Sequence, residues 1–312
     1  MVYVLAVAAA LANALTSIFQ RIGVEDAPEE TTLRLSLLAH AIRRGIWLLG
    51  FALMVVSFVM QAIALHLGSL TSVQPILTTE LPFLVLILVV WFHVKVGLRE
   101  WVLAVAAAAG LAGFLYFAAP VPGKSVPGGA AWAQVGGACA LAIVVCVVLT
   151  RFGPRWWRAA MFGAAAAIGY AFTAALTKQV TAFIAKDWTS MFVHWQTYMI
   201  AVGGVLSVFL AQNAYHAGPI AASQSTLVLV DPLASILIGL GLFNDFVRTS
   251  EPWGALEAAS LLVMFLGAGL LCQSPLVSGV KGEDAEYHEM LSSKGRSRVR
   301  EEQQPVLPPD LA

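Results

Sequence analysis

Long apolar runs alternate with short polar connections along most of the chain. Nine runs are long enough to cross the hydrocarbon core of a bilayer, which takes about 20 residues in a helix. They lie at residues 2–20, 46–66, 69–92, 100–119, 130–150, 159–181, 193–213, 219–243 and 254–273. Because backbone in lipid has to satisfy its own hydrogen bonds, each run is expected to be helical. The pattern predicts an all-α polytopic membrane protein with about nine transmembrane helices.

Composition supports a lipid environment. The chain of 312 residues is 59% hydrophobic and only 12% charged, with a mean hydropathy of +0.80. Soluble domains carry about 25% charged residues. This composition makes the bilayer an expected partner. The net charge is zero, so nucleic acid is not an expected partner. Clustered Cys and His, a Walker-type glycine loop and Gly-x-Ser-x-Gly are all absent from the sequence, so we expect no enzyme, no cofactor and no metal site.

The two ends of the chain differ from the rest. Met1–Ala14 ends like a signal-peptide cleavage site, but no Lys or Arg precedes the apolar core, so we predict a retained first span. Lys281–Ala312 contains five basic residues, seven acidic residues and three prolines. This composition is typical of disordered segments. We therefore divide the chain into a transmembrane transporter domain, 1–273, and a disordered cytoplasmic tail, 274–312.

Positive charges indicate how the spans are oriented. With nine spans, 14 of the 18 Lys and Arg residues fall on one side of the membrane. The remaining four are Lys124, Lys178, Lys186 and Arg248. Positively charged loops are retained in the cytoplasm. We therefore predict a multi-pass protein of the cytoplasmic membrane, with its N-terminus outside and its C-terminus in the cytoplasm.

A segment of the first half recurs 150 residues later. Residues 64–82 and 214–232 share six identities in 19 positions, at Ala64, His66, Gly68, Gln74, Leu77 and Pro82. Ala-Leu-Thr also occurs at 14–16 and 175–177. Equivalent spans are five apart, an odd number, so the halves cross the membrane in opposite directions. This predicts inverted repeats at about 1–120 and 155–273, joined by a linking helix at 130–150. Repeats of this kind are common in secondary transporters; the alternative is repeated hydrophobic composition without function.

The run Trp-Leu-Leu-Gly at 47–50, followed by Ala-Leu-His-Leu-Gly-Ser-Leu-Thr-Ser-Val-Gln-Pro at 64–75, resembles the EamA-like part of the drug/metabolite transporter (DMT) superfamily. The second copy, Ala214–Asp231, has Ser225 in place of the proline. By its nine-span layout the chain is also similar to the NIPA-type magnesium transporters. The resemblance covers residues 1–273. It implies a secondary transporter of metabolites or drugs that works by alternating access, with a divalent-cation permease or a non-transporting membrane scaffold as alternatives.

Two carboxylates interrupt the apolar spans near their midpoints. Glu80 and Asp231 each lie beside a proline, Pro82 and Pro232. A charged side chain at the bilayer centre costs about 2.5–3.5 kcal/mol, so such residues usually face a cavity. Proline also leaves a backbone carbonyl one turn back without its helical donor. We predict a proton or cation site on the substrate pathway; the alternative is two protonated acids hydrogen-bonded within the bundle.

Other polar residues in the spans extend the candidate pathway. Gln74 and Gln224 are equivalent in the repeat, and Asn13 and Gln20 lie in the first span. Amides of this kind also hold helices together without taking part in transport. Lys178 lies near the outer end of the sixth span, where it either snorkels to the interface or lines the pathway. The expected partners are a small-molecule or ion substrate and lipid; a homodimer is left open.

Tryptophans cluster at the ends of the predicted spans. Residues of this type favour the membrane interface, where they form aromatic belts. We therefore predict interfacial positions for Trp47, Trp91, Trp101, Trp132, Trp156, Trp157, Trp188 and Trp253.

Overall fold

The computed structural model describes residues 1–24, 45–91, 93, 96–123, 127–248 and 253–274. The side chain of Gln20 and the tail after Ser274 lie outside the described residues, so the predictions for them stay predictions.

Ten α-helices make up the described part of the chain. They are α1 Val2–Val24, α2 Gly45–Leu67, α3 Leu70–Leu77, α4 Glu80–Val90, α5 Leu98–Ala118, α6 Gly129–Leu149, α7 Arg155–Lys186, α8 Trp195–Ala217, α9 Ile220–Leu242 and α10 Trp253–Leu271. Within the described residues, nine segments are long and apolar enough to cross a membrane, with α3 and α4 together forming one of them. The prediction of an all-α polytopic membrane protein is confirmed.

The third span is broken, where the sequence predicted one helix over 69–92. Thr78 and Thr79 separate α3 from α4. Pro82 has no N–H to donate to the carbonyl one turn back, so the regular ladder fails here. The two threonine hydroxyls compensate in part: Thr78 Oγ1 donates to the carbonyl of Pro75 and Thr79 Oγ1 to that of Ile76, both at 2.7 Å.

The sixth span is longer than the 159–181 that hydropathy predicted. Helix α7 has 32 residues, which is about 48 Å at 1.5 Å per residue, against a hydrocarbon core of about 30 Å. Its Ala- and Gly-rich faces pack against α8, α9 and α6. Because small side chains let helices approach closely, α7 forms the centre of the second half of the bundle.

The two matching turns of the repeat pack in the same way. Gly68, between α2 and α3, lies against Val2 at the start of α1, and Gly218, between α8 and α9, lies against the carbonyl of Arg155 at the start of α7. A Cβ at either glycine would approach these atoms to less than 3.0 Å. Thr71, three residues after Gly68, donates its N–H to Asp245, which follows α9. The turn at Gly68 therefore lies near the end of α9, whereas the turn at Gly218 lies just before its start. The turns therefore lie at opposite ends of the bundle, as expected for inverted repeats.

Helices α5 and α10 meet in a reciprocal contact. Gly110 lies against the backbone of Met264, and Gly267 lies against the backbone of Ala107. Gly267 follows Gly110 by 157 residues, and Met264 follows Ala107 by the same number. Exchanging the two helices therefore reproduces the contact. Such reciprocity defines a local two-fold axis. Superposition of the complete halves by a rotation of about 180° stays a prediction.

One tryptophan departs from the predicted interfacial positions. Trp132 is 3% exposed and makes edge-on ring contacts with Phe172, Trp195 and Phe243. The interfacial prediction is therefore wrong for Trp132. The physical reason is that α6 begins against α7, α8 and the end of α9, so that its first turn is covered by aromatic side chains instead of lipid.

Candidate functional site

Glu80 is the first residue of α4 and is half-buried. Its Oε1 accepts a hydrogen bond of 3.1 Å from the hydroxyl of Ser17 on α1. The helix N-terminus at Glu80 favours a negative charge, and the break before α4 is what places that N-terminus within the span. The predicted Asn13 is half-buried one turn from Ser17 on α1. Sequence reasoning missed Ser17, although the spacing of four residues from Asn13 places both on one helix face.

Asp231 lies near the middle of α9 and is also half-buried. The hydroxyl of Ser235, one turn further on, donates to Asp231 Oδ1 over 3.4 Å. Pro232 follows within the helix, which nevertheless continues without a break. Since Pro232 has no N–H, the carbonyl of Val228 lacks its usual helical donor. Both carboxylates therefore have a serine partner and lie where a proline weakens the backbone ladder.

Two tyrosines that sequence reasoning missed lie near the carboxylates. Tyr215 on α8 is near Glu80, and Tyr170 on α7 is near Tyr215 and Asp231. Gln224 on α9 donates from Nε2 to the hydroxyl of Tyr215 at 3.3 Å, so these two side chains form a polar pair in the neighbourhood of Glu80. The available signals were a tyrosine inside the predicted sixth span, Tyr170, and one inside the repeated segment 214–232, Tyr215.

The amides that the repeat makes equivalent occupy different environments. Gln74 is buried in α3, at 4% exposure, among residues that are buried on every side. Gln224 is half-buried and bonds to Tyr215. Equivalence in sequence therefore did not place these two side chains in one polar site.

Lys178 forms a buried ion pair. Its Nζ lies 3.4 Å from Oδ1 of Asp245, with side-chain exposures of 11% and 0%. The ammonium also lies 4.7 Å from the ring centroid of Phe243. The ammonium thus has a charged partner within the bundle, while the depth of Lys178 relative to the membrane interface stays a prediction. Sequence reasoning missed Asp245, which follows the eighth predicted span by two residues.

Asp245 is held by both halves of the protein. Its Oδ2 accepts from the N–H of Thr71 at 3.3 Å and from the Thr71 hydroxyl at 3.1 Å. Its Oδ1 accepts from the N–H of Gly123 at 3.1 Å in addition to the contact with Lys178. Thr71 and Gly123 belong to the first half, whereas Lys178 and Asp245 belong to the second. We call these four residues the Asp245 cluster.

Backbone pairing continues the closure around the Asp245 cluster. Val121 and Phe246 exchange two backbone hydrogen bonds of 2.9 Å, and the N–H of Arg248 donates to the carbonyl of Ala118 at 2.9 Å. The segments that follow α5 and α9 are thereby fastened to each other. We call this end of the bundle, where α3 begins and α9 ends, the closed end.

Burial differs between the two ends. Every residue of α3 from Leu70 to Ile76 is buried, and so are Ser235, Ile238 and Leu242 on the adjoining part of α9. At the opposite end, residues 221–231 of α9 include one buried residue, Ser223. We call that end, where α8 ends and α9 begins, the open end, because α9 is less buried there than α3 is at the closed end. Glu80 and Asp231 lie between the closed end and the open end.

No metal cluster is evident in the described parts of the chain, where no group of three or more His, Cys, Asp or Glu side chains comes together. The two carboxylates at mid-span are paired with hydroxyl groups instead.

Comparison with known proteins gives a relative but no name for the activity. The chain is 24% identical over 291 residues to an uncharacterized protein of Corynebacterium glutamicum, a match that covers 89% of this chain and 98% of that protein. No family model matches the chain. No solved structure matches it at a significant level.

Proposed function

We propose that this protein is a secondary transporter that moves small solutes across the cytoplasmic membrane by alternating access. The observation that carries the proposal is the position of Glu80 and Asp231. Both are half-buried near the middle of membrane spans, between a closed end and an open end. Ionisable groups at this depth are costly unless they serve a pathway, and opposed repeats around a central site are suited to alternating access.

The surroundings of the carboxylates favour proton coupling. Ser17 and Ser235 each donate a hydrogen bond to one of the acids, and Tyr170 and Tyr215 supply further hydroxyl groups near them. A carboxylate that binds a proton in one conformation and releases it in the other couples proton flux to solute movement. The DMT-like sequence pattern agrees with this role. We place the N-terminus outside and the tail in the cytoplasm. Cysteines introduced at positions 124 and 155 should then react with a membrane-impermeant thiol reagent from opposite sides of the membrane.

Uptake into proteoliposomes tests the proposal. We would screen metabolites and cationic drugs against the purified protein, with an internal pH dye and, in parallel vesicles, an internal Mg²⁺ reporter. Glu80→Gln and Asp231→Asn keep the side-chain shape and remove the charge. Each is expected to reduce proton-coupled uptake at least about tenfold, which corresponds to about 1.4 kcal/mol. The matched control is Glu257→Gln, a half-buried carboxylate near the start of α10.

Three outcomes separate the alternatives. Solute uptake with proton movement that depends on Glu80 and Asp231 supports the proposal. A Mg²⁺ signal without solute or proton movement replaces it with a divalent-cation permease. Wild-type uptake and unchanged pH dependence in both variants would show that the acids are structural.

A further inference from the structure

We propose that the Asp245 cluster is the gate that closes one end of the transport pathway, with Asp245 and Lys178 as the gating residues. The inference rests on the proposed alternating access. It concerns residues that do not touch the mid-span acids: Lys178 and Asp245 lie at the closed end, whereas Glu80 and Asp231 lie in the middle of their spans.

Asp245 connects the two halves of the chain. Its carboxylate receives hydrogen bonds from Thr71 on α3, from Gly123 after α5 and from Lys178 on α7. Thr71 and Gly123 come from the first half and Lys178 from the second, and Asp245 itself follows α9. For the closed end to open, the repeats have to separate there, and that separation breaks the contacts of Asp245 with the first repeat. The cluster therefore stabilises the closed arrangement specifically.

The carboxylate of Asp245 is closely surrounded. Gly239 on α9 lies so close that a Cβ there would be 2.5 Å from the hydroxyl of Thr71 and 2.7 Å from Oδ2 of Asp245. The N–H of Asp245 also donates to the carbonyl of Gly239 at 3.0 Å. Helices α3 and α9 thus touch directly at this point, without room for a solute between them. A closed gate requires this property.

The buried ion pair holds the carboxylate in place. Lys178 and Asp245 both belong to the second half, so their contact does not itself cross between the repeats. With its charge balanced by Lys178, the buried carboxylate of Asp245 accepts hydrogen bonds from Thr71 and Gly123 of the first half. Removing one partner of a buried ion pair leaves an uncompensated charge and is strongly destabilising, whereas neutralising both partners is often tolerated, so the pair is best neutralised as a whole.

Cysteine accessibility tests the gate without requiring knowledge of the substrate. Ser72 is 2% exposed in the first turn of α3, so Ser72→Cys is a reporter for the closed end in a protein whose native cysteines are replaced by alanine. A membrane-impermeant thiol reagent is added from the closed side of reconstituted vesicles. Its reaction rate follows the population of the open end when opening and closing are fast.

Neutralising both gating residues together should open the end. In Asp245→Asn/Lys178→Met we expect the reporter to react at least about tenfold faster than in the parent, since the rate follows the open population. Lys186→Met, which changes an exposed lysine at the end of the same helix, should leave the rate unchanged. Thr71→Val removes one hydroxyl donor without altering charge, so it keeps the test available if the double variant does not fold. We expect it to raise the labelling rate of the reporter by a smaller factor, about two- to fivefold.

The result that overturns the gate is an unchanged labelling rate in folded Thr71→Val and in the double variant. This readout is independent of transport. If the double variant labels rapidly while no solute or ion moves in any vesicle, the gate stands and the proposed function fails. If solute uptake depends on Glu80 and Asp231 but labelling does not change, the function stands and the gate fails.

Discussion

The closed end and the open end are built from the same repeat but are packed differently. At the closed end, the turn at Gly68 leads into a helix that is buried from Leu70 to Ile76. At the open end, the equivalent turn at Gly218 leads into a helix that is half-buried over residues 221–231, apart from Ser223. Matching turns in the sequence therefore do not make the two ends alike.

The difference is traceable to side chains that occur in one repeat only. The shift of 150 residues pairs Thr71 with Ala221, which has no hydroxyl. The Ala-Leu-Thr match pairs Lys178 with Ser17, which bonds to Glu80 instead of to an acid at the helix end. Thr71 and Lys178, two of the three residues that donate to Asp245, thus have no equivalent donor in the other repeat.

The largest expected effect comes from the contact between α5 and α10, which lies midway between the two ends. Gly110→Ala and Gly267→Ala would each place a Cβ within 3.0 Å of backbone atoms of the facing helix. Because backbone cannot move aside as a flexible side chain can, we expect a loss of about 1–3 kcal/mol in the free energy of unfolding. Thermal unfolding in detergent measures it. Gly137→Ala, in α6 with no atom within 4 Å of the new Cβ, is the matched control, and equal stability of all three variants would contradict the α5–α10 contact.

An intermediate effect is expected at the closed end alone. Gly239→Ala would crowd the hydroxyl of Thr71 and the carboxylate of Asp245, whereas Gly241→Ala, two residues later in the same helix, meets no atom within 4 Å. We expect Gly239→Ala to lower the free energy of unfolding by about 1 kcal/mol relative to Gly241→Ala, because replacing helical glycine by alanine is otherwise favourable by about that amount. Faster thiol labelling at the closed end should accompany it. Identical behaviour of the two variants would contradict the close contact of α9 with Thr71 and Asp245 at the closed end.

The smallest expected effect concerns the polar groups toward the open end. Tyr215→Phe removes the hydroxyl that accepts from Gln224 and lies near Glu80. A single hydrogen bond contributes about 0.5–1.5 kcal/mol, so we expect uptake to fall about two- to tenfold while thiol labelling at the closed end stays unchanged. Initial uptake rates measure this. Wild-type uptake by the Tyr215→Phe protein would show that the Tyr215 hydroxyl takes no part in transport.

The pattern of the chain was sufficient for the spans and for the two carboxylates. Long apolar runs have one stable arrangement in lipid, so the number of membrane-length segments in the described residues follows from hydropathy. Glu80 and Asp231 were recognisable because an ionisable residue within such a run is unusual. The break at Thr78 and Thr79 was not predicted, since local compensation by hydroxyl groups decides whether a proline bends or interrupts a helix.

The sequence by itself determined the all-α, membrane-spanning class, the membrane-length segments and the positions of Glu80 and Asp231 within them, because each depends on local composition or on spacing along one helix. Only the tertiary structure decided which polar groups meet. Thr71 and Asp245 are 174 residues apart, and Lys178 and Asp245 are 67 apart. Such pairs depend on how far each helix is rotated and where it crosses its neighbours, and hydropathy sets neither. The same holds for Trp132, which lies at the end of a span in the sequence yet is covered in the fold by side chains from α7, α8 and the end of α9.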